Sequence, residues 1–98
     1  MKEVEKITRE LLLQDFEIAL STQKEQLLSD LGSALIYLLL NDLEKLWNIL
    51  YKIDVNEKKV KALFDLSEAK LIAPSLALLI YERMEQKAIT RIQYRDKG

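Results

Sequence analysis

Leucine at helical spacing, with almost nothing to interrupt it, is what most limits the folds open to this chain. Twenty of the 98 residues are leucine, whereas glycine and proline together supply three. Straight-chain and γ-branched side chains keep most of their rotamers in a helix, β-branched ones favour strands, and valine occurs only three times. The expectation is an all-α fold, a small bundle of four to five helices, mostly antiparallel, with short connections. Ninety-eight residues fit a single domain. A chain of this size hides roughly 60–70% of the surface it exposes when unfolded, enough for one modest core. No repeat, low-complexity tract or linker divides it.

The apolar periodicity places helices near residues 3–19, 23–40, 42–53, 55–65 and 74–94. Val4, Ile7 and Leu11 open the first at i, i+3, i+7, and Leu12, Leu13, Phe16 and Leu20 widen its face. Ser21 and Thr22 suit the start of the second, with Thr22 and Glu25 spaced as a capping box. In that second helix Leu27, Leu31, Ala34, Leu35 and Leu38 form one stripe, around which Leu28, Ile36, Leu39 and Leu40 wrap. A helix apolar on every side is either central to a bundle or covered by another subunit. Gly32 inside it costs about 1 kcal/mol relative to alanine, which a close helix–helix approach would offset. Asn41 and Asp42 can cap the third helix, of Leu43, Leu46, Leu50 and Ile53, and Asp54 with Glu57 reads as the cap of the fourth. Residues 65–73 read as a connector or short helical turn. Pro74, which lacks an amide donor, is expected in the first turn of the last helix. That helix looks docked over Leu76 to Tyr81 and exposed later, where Met84, Ala88 and Ile92 continue a narrower stripe.

The chain has no histidine and no cysteine. That removes the commonest general base, the commonest metal ligand and the best thiol nucleophile together. Ser33 follows Gly32 but has no nucleophile elbow around it and no base to activate it. The carboxylate pairs Glu82/Glu85 and Asp65/Glu68 lack the further ligands that acid–base chemistry or Mg²⁺ would need. No catalytic residue, cofactor or metal site is assigned, and the chain is expected not to be an enzyme. Cysteine-free composition suits a reducing compartment, and the charged first ten residues do not resemble a secretion signal. The expected location is therefore cytoplasmic. The longest uninterrupted apolar run, Ala34 to Leu40, is far short of the roughly 20 residues of a membrane span, so no membrane association is expected.

The formal net charge is −1, which exerts no global pull on nucleic acid or anionic lipid. The distribution is uneven: residues 1–50 sum to −4 and residues 82–98 to +2. Arg83, Lys87, Arg91 and Arg95 follow one another at i+4, so on a helix they line one slowly turning face, near Tyr94. Such a row can track a phosphate backbone or bind an acidic partner. It can equally be a solvated helix face whose cations favour the negative end of a helix, diluted by Glu82 and Glu85. The aromatics, Trp47 and Tyr51 among them at i, i+4, read as core or interface, with Tyr94 the most exposed.

The run Leu50-Tyr51-Lys52-Ile53-Asp54-Val55-Asn56-Glu57-Lys58-Lys59-Val60 resembles short uncharacterised helical proteins found in bacteria. So do Ile72-Ala73, Ile80-Tyr81-Glu82-Arg83, Gln86-Lys87 and Thr90-Arg91. The resemblance covers the C-terminal half and implies no activity. The residues themselves point first to a non-enzymatic protein–protein interaction or self-association module, a homodimer included. It would act through an apolar interface of Ile36, Leu39, Leu40, Leu78 and Tyr81. The second reading is nucleic-acid binding through Arg83, Lys87, Arg91 and Arg95.

Overall fold

The computed structural model describes residues 2–16 and 23–97. Among them the chain forms α1 (Lys2–Phe16), α2 (Lys24–Asn41), α3 (Leu43–Ile53), α4 (Glu57–Phe64) and α5 (Ala69–Lys97), with no strand. The expected all-α bundle is therefore observed, with five helices. Leu20 and the expected caps Ser21 and Thr22 lie outside the described residues. None of the described helices is long and apolar enough to cross a membrane.

Short polar side chains end and restart the helices. Asp42 alone separates α2 from α3, and its carboxylate accepts a hydrogen bond from the Lys45 amide at 3.2 Å. This satisfies one of the donors that the first turn leaves orphaned. The cap of α4 differs from the expectation. Asn56, not Asp54, holds it, accepting from the Lys59 amide at 3.1 Å. Asp54 instead ends α3 in the left-handed region at φ 60°, its own amide bonded to the Leu50 and Tyr51 carbonyls. Asp and Asn both tolerate that conformation and both cap helices. The helix that arrives first took Asp54 as its stop, which left Asn56 to begin the next.

The last helix starts five residues earlier than Pro74 would set it. The amides of Leu71 and Ile72 both donate to the Glu68 carbonyl at 3.0 Å, so Pro74 lies inside α5. An interior proline costs about 3 kcal/mol in an isolated helix. Here extending the helix buries Ile72 and Ala73, at 5% and 1% exposure. Burying one isoleucine contributes about 1.5–3 kcal/mol, so the two effects are comparable. Lys70, whose carbonyl loses its amide partner at Pro74, is on the exposed side, where water can satisfy it.

α5 is the hub. Leu27, Leu31, Leu35 and Leu38 of α2 are buried and pack chiefly against it, α1 covers much of its remaining face, and α4 leans on it through Val60. Glu3, at the start of α1, pairs with Arg95 near the end of α5, so the two helices run antiparallel. The second half of α5 is therefore not free: Met84 and Ala88 are fully buried, under a row in α1 of Val4, Thr8, Leu12 and Phe16. Thr8 enters that core without an unsatisfied hydroxyl, because it donates to the Val4 carbonyl at 2.7 Å.

Gly32 does not serve a close approach among the described residues. A Cβ built there meets nothing within 4 Å, and its φ is not in the left-handed region. The helix thus bears the entropic cost of glycine without a packing return. Gly32→Ala is expected to stabilise the fold by about 0.5–1 kcal/mol in dilute solution, read from urea or thermal unfolding. A loss of stability would mean that the glycine answers to a contact inside the monomer.

Candidate interaction surfaces

The four basic residues predicted to form a row share α5 but not a role. Arg83 is drawn inward, its side chain 29% exposed. Its Nε donates to the carbonyls of Ile53 and Asp54, each at 3.1 Å, and an outer nitrogen lies 3.8 Å from the Asp54 carboxylate. These carbonyls belong to the end of α3, where a helix has acceptors without partners and a partial negative charge. Arg83 is thus a cap on a neighbouring helix. Immediately before them on α3, Lys52 reaches across to Asp15 of α1 at 3.0 Å; that carboxylate is 9% exposed. The C-terminal end of α3 is therefore tied to α5 by Arg83 and to α1 by Lys52.

Lys87, one turn beyond Arg83, sits beside this knot half-buried. Burial, and after it the Arg83 charge, hold its ammonium below the usual lysine range, while Asp15 and Asp54 act in the opposite sense. Arg95 is committed to Glu3, and that hydrogen bond holds the Glu3 carboxyl below the usual carboxylate range. Arg91 is exposed and makes no ion pair among the described residues. Two of the four cations are thus engaged within the molecule.

Beside Arg83 opens a cleft of about 800 Å³ between α3, the α3–α4 turn and α5. Trp47, Leu50 and Tyr51 form one wall, Leu79 and Glu82 another, and Lys58 and Lys59 stand at the start of α4. Trp47 is fixed there by Phe64, edge to face at 5.0 Å, and by Tyr51 at 6.2 Å. The i, i+4 spacing of Trp47 and Tyr51 was the one trace of this cleft in the sequence. Its other walls come from residues too distant along the chain to be paired by pattern. Glu82 lines the cleft, but its partner Glu85 does not. Among the described residues no group of three or more carboxylates could hold a metal ion.

The residues expected to form an apolar interface separate into three environments. Leu40 is 70% exposed and Leu78 43%, while Ile36 and Leu39 are half-buried against the core. Tyr81 is a correction: it is 2% exposed and belongs to the core. The periodicity explains the difference. Tyr81 falls one turn after Ala77 and two before Ala88, on the buried row, whereas Leu78 falls two turns after the exposed Leu71, on the back of α5. The Lys24 ammonium lies 4.8 Å from the centre of the Tyr81 ring. Burial, with Glu85 and Glu5 adding to it, pushes the Tyr81 phenol above the usual range. On α2, Ile36, Leu39 and Leu40 share an edge that continues back through Gly32 to the half-buried Leu28. Leu43, 43% exposed, follows directly.

Two substitutions separate a structural row of cations from a solvated one. Arg83→Ala is expected to cost about 1.5–3 kcal/mol of unfolding free energy, because it strips a charged donor from two carbonyls. Arg91→Ala is expected to cost less than about 0.5 kcal/mol, and equal losses at both positions would contradict the capping role. Lys87→Met keeps the aliphatic stem and removes the charge. With the folded value of Lys87 lowered, the fold disfavours its charged form below that value, and stability rises as pH climbs from there towards the unfolded value. The methionine variant should therefore be more stable than the parent at neutral pH and lose that advantage in alkali, as read by thermal unfolding across pH. No family model, curated protein or solved structure matches this chain.

Proposed function

We propose that this chain is a non-enzymatic protein-interaction module that docks a protein partner, a second copy included, through the outer edge of α2. The observation that supports it is Leu40, 70% exposed at the end of an edge that also carries Ile36 and Leu39. A single exposed leucine is ordinary on a globular surface. Leu40 has the half-buried Ile36 and Leu39 on the same edge and the exposed Leu43 just beyond it, and apolar surface gathered in this way is the kind that marks a docking site. Nucleic-acid binding through Arg83, Lys87, Arg91 and Arg95 has less support, since the end of α3 holds Arg83 and Glu3 holds Arg95.

The test is capture from cell lysate with tagged parent and tagged Leu40→Glu, each with and without nuclease. A protein that survives nuclease and is lost about tenfold or more on Leu40→Glu is the expected result, with helical circular dichroism unchanged. Recovery of nucleic acid alone, removed by nuclease, would favour the basic row instead. Equal capture by both proteins would remove the α2 edge from the account.

A further inference from the structure

We propose that the cleft beside Trp47 binds a nucleoside monophosphate, with the base on the aromatic wall, the phosphate at Lys58 and Lys59, and the ribose hydroxyls at Glu82. No residue of α2 lines this cleft, so the site stands apart from the docking edge and does not rest on it. At about 800 Å³ its volume falls in the range of small-molecule sites, about 300–1,000 Å³.

Charge sorts the lining. Of its acids, Glu57 holds Lys61 at 3.1 Å, and Asp54 has Arg83 at 3.8 Å. Arg83 is in turn bonded to the end of α3. Lys58, Lys59 and Glu82 are exposed and make no ion pair among the described residues. Two adjacent cations and one carboxylate are thus left open to a ligand. Both lysines stand in the first turn of α4, where the positive end of the helix adds to their field. A phosphate, with close to two negative charges, answers both lysines. A lone carboxylate answers one, and a polyphosphate would press surplus charge on Asp54, Glu57 and Glu82.

The other two walls take the rest of the molecule. Trp47 is held edge to face by Phe64, and Tyr51, 67% exposed, leans beside it at 37°. A flat ring meets a platform already fixed in place, and stacking of this kind accepts any base. Glu82 on α5, acceptor-only when ionised, can take both hydroxyl donors of a ribose diol. A ring-free phosphate uses one or two of these walls, and an uncharged nucleoside leaves the lysines idle. An acidic peptide would satisfy the lysines but be repelled by Glu82.

Trp47 is the sole tryptophan of the chain, so its fluorescence reports on this wall directly. The parent is titrated with adenosine, guanosine, cytidine and uridine monophosphates, each to about 5 mM, and at least one is expected to quench saturably with Kd below about 1 mM. The matching nucleoside and ribose 5-phosphate should each bind about tenfold or more weakly. Lys58→Ala combined with Lys59→Ala should weaken the nucleotide about tenfold or more and leave the nucleoside unchanged. Helical circular dichroism should stay as in the parent, since Asn56 caps α4 through the Lys59 amide, which alanine keeps. Glu82→Gln should weaken the ribonucleotide more than its 2′,3′-dideoxy counterpart. Arg91→Ala, outside the cleft, should change nothing. No saturable quenching by any of the four nucleotides overturns the site. So does equal binding by the double lysine variant, or ribose 5-phosphate that binds as well as the nucleotide.

Discussion

Everything in this bundle leans on one unbroken buried face of α5. Ile72, Ala73, Leu76, Ala77, Ile80, Tyr81, Met84 and Ala88 run along it, and α1, α2 and α4 each find their apolar partners there. Only a helix that continues through Pro74 can do this. Had it begun at the proline, Ile72 and Ala73 would be held by a loop, and α2 would lose part of the surface that closes its leucine stripe. The tolerance of Pro74 is thus a consequence of packing: the proline faces water, and the residues on either side of it in the periodic row face the core.

Leucine burial supplies cohesion but little direction, since apolar contacts are tolerant of sliding and rotation. Direction comes from a few polar contacts at helix ends. The end of α3 is fixed from two sides, by Arg83 of α5 on its carbonyls and by Lys52 on the Asp15 carboxylate of α1. The far end of the α1–α5 pair is fixed by Glu3 and Arg95. Surface ion pairs contribute little stability individually. Their effect here is to select register. This use of Arg83 and Arg95 also competes with any use of the same cations on an external phosphate backbone. An arginine that already donates to two carbonyls has fewer donors to offer, and moving it would expose the end of α3.

Much of the fold was legible because it depends on local pattern. The second and third helices, and the Asp42 cap between them, follow from spacing and from one short polar side chain. Legibility fails where two residues are locally equivalent and a distant contact decides. Asp54 and Asn56 are both good caps, and the arrival of α3, with Arg83 waiting at its end, assigns them different roles. Pro74 is the best local helix start in its region, and burial of Ile72 overrides it. Tyr81 and Leu78 both read as apolar residues of one run, and only the phase of α5 against α2 and α1 puts one inside and the other outside. Of the cleft beside Trp47 only the Trp47–Tyr51 spacing was legible, for the same reason, because Arg83, Val60 and Trp47 share no sequence neighbourhood.

The apolar excess of α2 is where the monomer leaves a question that physics can address. A helix of this composition could satisfy itself by burying both edges, yet one edge keeps Leu40 in water and Gly32 beside empty space. Each of these costs the isolated chain something: exposed leucine surface loses transfer free energy, and mid-helix glycine loses backbone entropy. The two costs fall two turns apart on one edge, and the docking contact proposed for that edge would offset them together. A contact made across that edge would recover both, since the leucine leaves water and the glycine permits the approach that does so. Alanine at position 32 would improve the monomer at the expense of such an approach. A fold-stabilising substitution that weakens association is the relation expected where a surface answers to a partner and not to the core alone.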